Sequence, residues 1–267
     1  MALADKKTFC IVTGASRGIG QAIAVKLAET SAPESTFLLL ATNKDRLQET
    51  AEVVKDTNIT VNVETIALDF GDERLSLDGV ETAFQQLIEQ SPDIDRFVVI
   101  HNAGTVGDMS RKSYELDDPE SWQSHFRINV SSMVQLNCLL HRLISAKAKE
   151  APIFVNITSL LAIKAFPSFA QYCSSKAARE AYFRSFAVED RNVRVLNYSP
   201  GPVLTDMHTT VIETTCDQAV KAMFQEQGAG GDLHRRALTP QQTAEKLVGF
   251  LDYNVYESGS RIDYFDI

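Results

Sequence analysis

The chain has 267 residues, 44% of them hydrophobic and 23% charged, with a formal net charge of −9. A length of this order supports one large α/β domain with a core of its own, needing neither disulfide nor metal to fold. The acidic balance leaves no basic face for nucleic acid or an anionic membrane, and no apolar run approaches the ~18 residues of a membrane span.

The four cysteines, Cys10, Cys138, Cys173 and Cys216, form no C-x-x-C pair and read as scattered buried thiols of a reducing compartment. The N-terminal stretch carries no signal-type apolar region, so a soluble cytoplasmic protein is expected. The five histidines are scattered without an H-E-x-x-H, and no metal site is proposed. Sequons occur at Asn58, Asn129 and Asn156, the last two in patterns expected to be buried.

In chain order, a first strand "TFCIVT" (8–13) runs into the glycine turn "TGASRGIG" (13–20), which opens a helix over 19–30. Gly14, Gly18 and Gly20 permit a tight turn and close approach of a pyrophosphate to the positive end of that helix. Ser16 and Ile19 lie in the same turn, and Arg17 adds a cation suited to a ribose 2′-phosphate. The second strand, 36–42, ends in "LATNKDR". Thr42 and Asn43 stand where an acidic residue would favour NAD, so NADP is the expected cofactor, with Asp45 falling in the next helix, 44–56.

Further strands are read at 61–68, 96–101, 151–158, 193–198 and 259–265. Helices are read at 76–90, 119–149 and 170–188, and another after Pro240. Several strands are nearly all apolar, as parallel strands covered on both faces are. The alternation predicts a single Rossmann-type doubly wound parallel sheet spanning 1–267, of about seven strands in the order 3-2-1-4-5-6-7, with helices on both faces. Residues 208–239 break the rhythm, are polar and contain a flexible stretch at 226–236; they read as a lid over the sheet edge. The segment 121–150 carries two apolar stripes, and the second (Leu136, Leu139 and Leu143) suggests a partner helix and a homodimer.

"AQYCSSKAARE" (170–180) places Tyr172 and Lys176 four residues apart, on one face of a helix. A phenol is a weak acid near neutral pH, and an adjacent ammonium would lower its pKa. Such a phenol can give a proton to a carbonyl oxygen while hydride reaches the carbon. Ser159, after the strand "APIFVNIT", could hydrogen-bond the same oxygen.

These motifs, with "HNAG" (101–104), Asn129 and "SPGPVLTD" (199–206), resemble the short-chain dehydrogenase/reductase family over nearly the whole chain. The resemblance implies that Tyr172 is the acid/base, that Lys176 tunes it and holds the nicotinamide ribose, that Ser159 orients the carbonyl, and that Asn129 serves the proton relay. It implies cofactor contacts from Asn102, Ala103 and Gly104, from Asp69 and Phe70, and from Pro200, Gly201, Val203 and Thr205. His101 stands where the family more often has Asn. Within the family, "RVLNYSPGPVLTDM" (194–207), "HNAGTVGD" (101–108) and the tail "SGSRIDYFDI" (258–267) resemble members that reduce pterin side-chain carbonyls with NADPH in tetrahydrobiopterin formation. That implies Asp263 as a carboxylate anchor for the pterin 2-amino group and ring N–H. Leu160, Phe169, Cys173, Gly201 and Met207 are candidate walls. Those members commonly carry Arg where this chain has Thr42, which leaves the 2′-phosphate to Arg17 with Lys44 or Arg46. The alternatives are a steroid, sugar or acyl ketone as substrate, or a non-catalytic NADP sensor.

Overall fold

The computed structural model describes residue 3 and residues 6–91, 93–229 and 236–267. Seven parallel strands form one sheet in the order β3-β2-β1-β4-β5-β6-β7: β1 Thr8–Thr13, β2 Thr36–Ala41, β3 Asn62–Ala67, β4 Arg96–His101, β5 Ile153–Ile157, β6 Arg194–Ser199 and β7 Arg261–Asp263. The expected topology is therefore the observed one. The connecting helices are α1 Gly18–Thr30, α2 Lys44–Thr57, α3 Asp78–Gln90, α4 Pro119–Phe126, α5 Ser132–Ser145, α6 Ala170–Glu189, α7 Asp206–Thr214, α8 Gln218–Gly228 and α9 Pro240–Tyr253.

The central strands are apolar throughout because both faces are covered. Cys10 and Val12 of β1 point to α1 and α9 with Ile23, Leu27, Leu247 and Leu251. Phe9 and Ile11 point the other way, to α3, α5 and α6 with Phe84, Leu136, Leu140 and Phe183. On that second face Phe9 meets Phe84 edge-on at 5.1 Å between ring centroids and Phe97 at 5.8 Å. Each buried phenyl of this kind contributes roughly 1.5–3 kcal/mol of transfer free energy.

Three sequence readings are corrected. The helix expected over 119–149 is broken: Arg127–Ser131 is a π-helical turn between α4 and α5, and α5 ends at Ser145. In the second apolar stripe Leu136 and Leu139 are buried within the chain, whereas Leu143 is half-buried. Of the cysteines only Cys10 is buried; Cys138 is exposed, and Cys173 and Cys216 are half-buried. Asn129 and Asn156 are fully buried, as their patterns indicated. The 208–239 segment contains two helices, α7 and α8, that its polar composition concealed; of the stretch 226–236, residues 230–235 lie outside the described residues.

The crevice opens where the strand order reverses, between the ends of β1 and β4. The Thr13 hydroxyl stitches these strands together. It donates to Ile100 O (3.3 Å) and accepts from the N–H groups of Asn102 and Ala103, both at 3.0 Å. Asn102 Nδ2 returns to the carbonyls of Thr13 (3.1 Å) and Gly14 (3.2 Å). We expect Thr13→Val, which keeps the shape and strands two amide donors, to lower unfolding stability by about 1–3 kcal/mol, measured by urea denaturation. An unchanged midpoint would show that the stitch contributes nothing.

Candidate active site

A groove of about 640 Å³ runs across the strand ends. Its floor is the glycine turn. Gly14 has φ +65°, and a Cβ on Gly20 would lie 2.3 Å from the Gly14 carbonyl oxygen, so the turn closes only with glycine at that position. Helix α1 starts with no side-chain cap and no acidic residue in its first turn. Its free N–H groups and positive end therefore face the groove, as an anion-binding terminus requires. This cradle fits a dinucleotide pyrophosphate.

Around the groove the structure gathers Gly14, Ser16, Arg17, Gly18 and Ile19 of the turn, Thr42 and Asn43 after β2, and Asp69 and Phe70 after β3. Asn102, Ala103 and Gly104 after β4 join them, with Thr205 and Met207 opposite. Arg46 lines it as well, whereas Lys44 does not. Arg17 and Arg46 are both ion-paired with Asp206, the first residue of α7; the Arg46 contact is 3.5 Å. The sequence reading missed Asp206, because its partners lie 160 or more positions away. Pro200 and Val203, expected against the cofactor, line a second cavity, together with Gly201, expected at both cofactor and substrate.

That second cavity, about 310 Å³, adjoins the first through Ile19, Thr205 and Met207. It brings together Ser159, Leu160, Phe169, Tyr172, Gly201, Met207 and Asp263 from five segments of the chain. Cys173 stands behind this wall, half-buried in the cluster that includes Phe169 and Tyr172. Helices α7 and α8 close the far side with His208, Val211, Met223, Phe224 and Gln227.

Tyr172 and Lys176 share one face of α6, as the spacing requires, with Lys176 Nζ 5.4 Å from the Tyr172 ring centroid. Their electrostatics differ from the expectation. Burial pushes the phenol up to about 12; a hydrogen bond with Ser159 and the charge of Arg179 pull the other way without reversing it. Lys176 is not among the groups that lower it. The lysine is 3% exposed, donates to Ile157 O at 2.8 Å, and is itself held well below its ordinary pKa by burial and by Arg179. Two cations cannot both be buried cheaply, and the guanidinium keeps its charge more firmly.

Arg179 is the residue that the sequence reading overlooked. It is fully buried, one turn beyond Lys176. Nε donates to Asn156 Oδ1 (2.8 Å), Nη2 to His101 O (2.6 Å), and Nη1 to Ala103 O (2.8 Å) and Asn129 O (3.3 Å). The signal was available: positions 172, 176 and 179 follow the i, i+4, i+7 stripe of one helix face.

Asn129 sits inside the π-helical turn. Its side chain bonds the backbone of Thr105, accepting from N (2.9 Å) and donating to O (3.0 Å), and its main-chain oxygen accepts from Arg179 Nη1. His125, held near 4 chiefly by burial, bonds the Ser175 hydroxyl at 2.9 Å. His101 is buried against Asn137 (3.0 Å), a packing role rather than a site contact. The tail carrying Asp263 is fastened by Arg261, whose Nε donates to the buried Glu180 at 3.1 Å; Glu180 in turn accepts from Thr158 at 2.7 Å. Among the described residues no cluster of His, Cys, Asp or Glu could hold a metal, and no helix is long and apolar enough to cross a membrane.

Comparison with known proteins agrees with this geometry. The profile of the short chain dehydrogenase family matches residues 8–215, so the chain belongs to that family and is an oxidoreductase built to bind NAD(P). It is 34% identical over 258 residues to the sepiapterin reductase of Xenopus tropicalis, covering 96% of both chains. It is 32% identical over 266 residues to that of Bos taurus, covering 97% of this chain and 95% of the relative. Among solved structures, the L-sorbose reductase of Gluconobacter frateurii, complexed with NADPH and L-sorbose, superposes with a TM-score of 0.78 at 26% identity, covering 98% and 97% of the two chains.

We expect the phenol of the cofactor-free protein to titrate above 10, seen as the difference in ultraviolet absorbance between the unmodified chain and Tyr172→Phe. The sign follows from burial: the folded state holds the proton more tightly, so this group's contribution to stability is lost as pH rises from about 10 to about 12. A midpoint below 10 would place Lys176, not burial, in control.

Proposed function

We propose that this oxidoreductase uses NADPH to reduce the side-chain carbonyl of a pterin, such as sepiapterin or 6-pyruvoyl-tetrahydropterin, in tetrahydrobiopterin formation. NADPH, when bound, supplies the hydride. The Tyr172 hydroxyl donates the proton to the carbonyl oxygen, which also accepts a hydrogen bond from Ser159. Lys176 lies at the ribose side and, with Asn129, returns the proton to the phenol. Arg17 and Arg46 hold the 2′-phosphate in place of the family's Arg at Thr42, and that phosphate competes with Asp206 for both guanidinium groups.

The observation that supports the pterin most is the presence of Asp263 in the same cavity as Ser159 and Tyr172. A carboxylate there accepts two parallel hydrogen bonds from the 2-amino group and ring N–H, fixing the ring so that its side chain meets the phenol. The full-length similarity to two sepiapterin reductases, at 34% and 32% identity, points the same way. In this reading α7 and α8 act as the substrate lid. A cytoplasmic homodimer belongs to the proposal through family likeness, not through an uncovered face of α5.

A second reading, reduction of a sugar, steroid or acyl ketone, is favoured by what already surrounds Asp263. Its Oδ2 accepts from the Ser199 hydroxyl at 2.5 Å and lies 3.5 Å from Arg261 Nη2, so part of its acceptor capacity is used. The walls are aromatic: Phe166, Phe169, Phe224 and Phe265. One solved relative takes L-sorbose.

NADPH consumption with sepiapterin, compared with NADH and with L-sorbose, separates the readings. We expect sepiapterin and NADPH to be the best pair, and Asp263→Asn to raise KM for sepiapterin by about tenfold or more while leaving NADPH affinity within about twofold. Turnover of the sugar or a simple diketone but not of sepiapterin would establish the second reading; no NADPH oxidation with any carbonyl would point to a binding protein.

A further inference from the structure

Among the described residues, two buried polar atoms on the lid side of the substrate cavity have no hydrogen-bond partner. His208 on α7 is 6% exposed, and its Nε2 has no hydrogen-bond partner. Gln227, in the last turn of α8, likewise has a buried Oε1 without a partner. Both residues line the same cavity as Ser159, Tyr172 and Asp263. They are neighbours: a Cβ built on Gly228 would lie 3.6 Å from His208 Cε1, so the imidazole edge rests against the turn that carries Gln227. Buried polar atoms are almost always paired, so two orphans in one cavity wall require an account of the group that pairs with them.

A ring ladder fixes where this pair sits relative to the chemistry. Tyr172 meets Phe169 edge-on at 6.0 Å, Phe169 stacks on Phe224 at 6.0 Å, and Phe224 lies 5.1 Å from the His208 ring. The polar pair is therefore separated from the catalytic phenol by an apolar wall two rings long. It is also distinct from Asp263, which comes from the C-terminal tail rather than the lid.

Resting on the reading of this cavity as the carbonyl substrate's site, we propose that His208 and Gln227 form a second polar subsite that selects ketones bearing a hydroxyl group remote from the reacting carbonyl. A hydroxyl is the simplest group that satisfies both atoms, donating to Gln227 Oε1 and accepting from a neutral imidazole N–H. Burial lowers the His208 pKa, which keeps the ring uncharged and matched to a neutral group. Because α7 and α8 meet the substrate only here through polar atoms, the subsite also draws the lid onto a correct substrate. A substrate without the hydroxyl leaves both atoms unpaired, the situation that gives the steepest discrimination available to a binding site.

The test compares 1-phenylpropane-1,2-dione with its para- and meta-hydroxyphenyl analogues. KM is read with NADPH, and Kd for the same compounds is read by calorimetry on the NADP⁺-bound full chain. We expect at least one hydroxylated analogue to be preferred by about tenfold. His208→Phe, which keeps the ring contact with Phe224, and Gln227→Leu should each abolish that preference, bringing KM and Kd of the hydroxylated analogue to within about twofold of the parent diketone's in the same variant. His208→Gln, which restores an N–H donor, should recover part of it. Equal affinity for parent and analogues in the unmodified chain, or equal losses for both in the variants, would overturn the subsite. The sepiapterin assay reports separately: reduction of sepiapterin without any hydroxyl preference sinks the subsite and leaves the reductase reading intact. A hydroxyl preference in Kd without any NADPH oxidation supports the subsite and sinks that reading.

Discussion

The site depends on one buried cation. Arg179 has no solvent exposure, and its three nitrogens reach four acceptors on three stretches: the last residue of β4 with the loop that follows it, the π-helical turn, and β5. Bringing a guanidinium into the interior is costly unless every donor is matched, and here all its partners are neutral dipoles. The arrangement holds only if the loop carbonyls of His101 and Ala103 and the Asn129 oxygen converge on one point. The same loop packs against the glycine turn and lines the groove, and the same helix carries Tyr172 and Lys176. One side chain thereby ties the cofactor groove to the catalytic face.

This fixed charge also sets the proton inventory. Lys176, beside it and buried, is pushed toward its neutral form, and Tyr172 stays protonated across the physiological range because burial outweighs the pull of Ser159 and Arg179. A phenol that keeps its proton is the form needed to deliver one to a carbonyl oxygen. Ion pairing of Asp206 with Arg17 and Arg46 adds a second electrostatic constraint, at the groove's far end, where the lid helices begin.

Much of this was legible in the sequence because it rests on local rules. The glycine turn, the strand–helix alternation and the 172–176 spacing each follow from short-range geometry, and strand order follows from right-handed crossovers. What escaped depends on long-range packing. The π-helical turn at 127–131 leaves no periodicity signature, since one extra residue shifts the stripe without erasing it. Helices α7 and α8 turn only a few apolar side chains inward, Val211, Val220 and Phe224 among them, so their composition reads as polar. Arg179 looked like an ordinary surface residue of an amphipathic helix, although it shares the face of Tyr172. For the phenol the spacing gives proximity to Lys176, but the burial that raises its pKa in the cofactor-free site leaves no mark in the spacing.

The central claim is that the Tyr172 hydroxyl is the proton donor in a site otherwise complete without it. Removing only that oxygen tests it most directly, by single-turnover NADPH oxidation in Tyr172→Phe alongside the NADPH Kd. The account predicts a Kd within about twofold of the unmodified chain and a rate lower by about a hundredfold or more. A rate near that of the unmodified chain would contradict it.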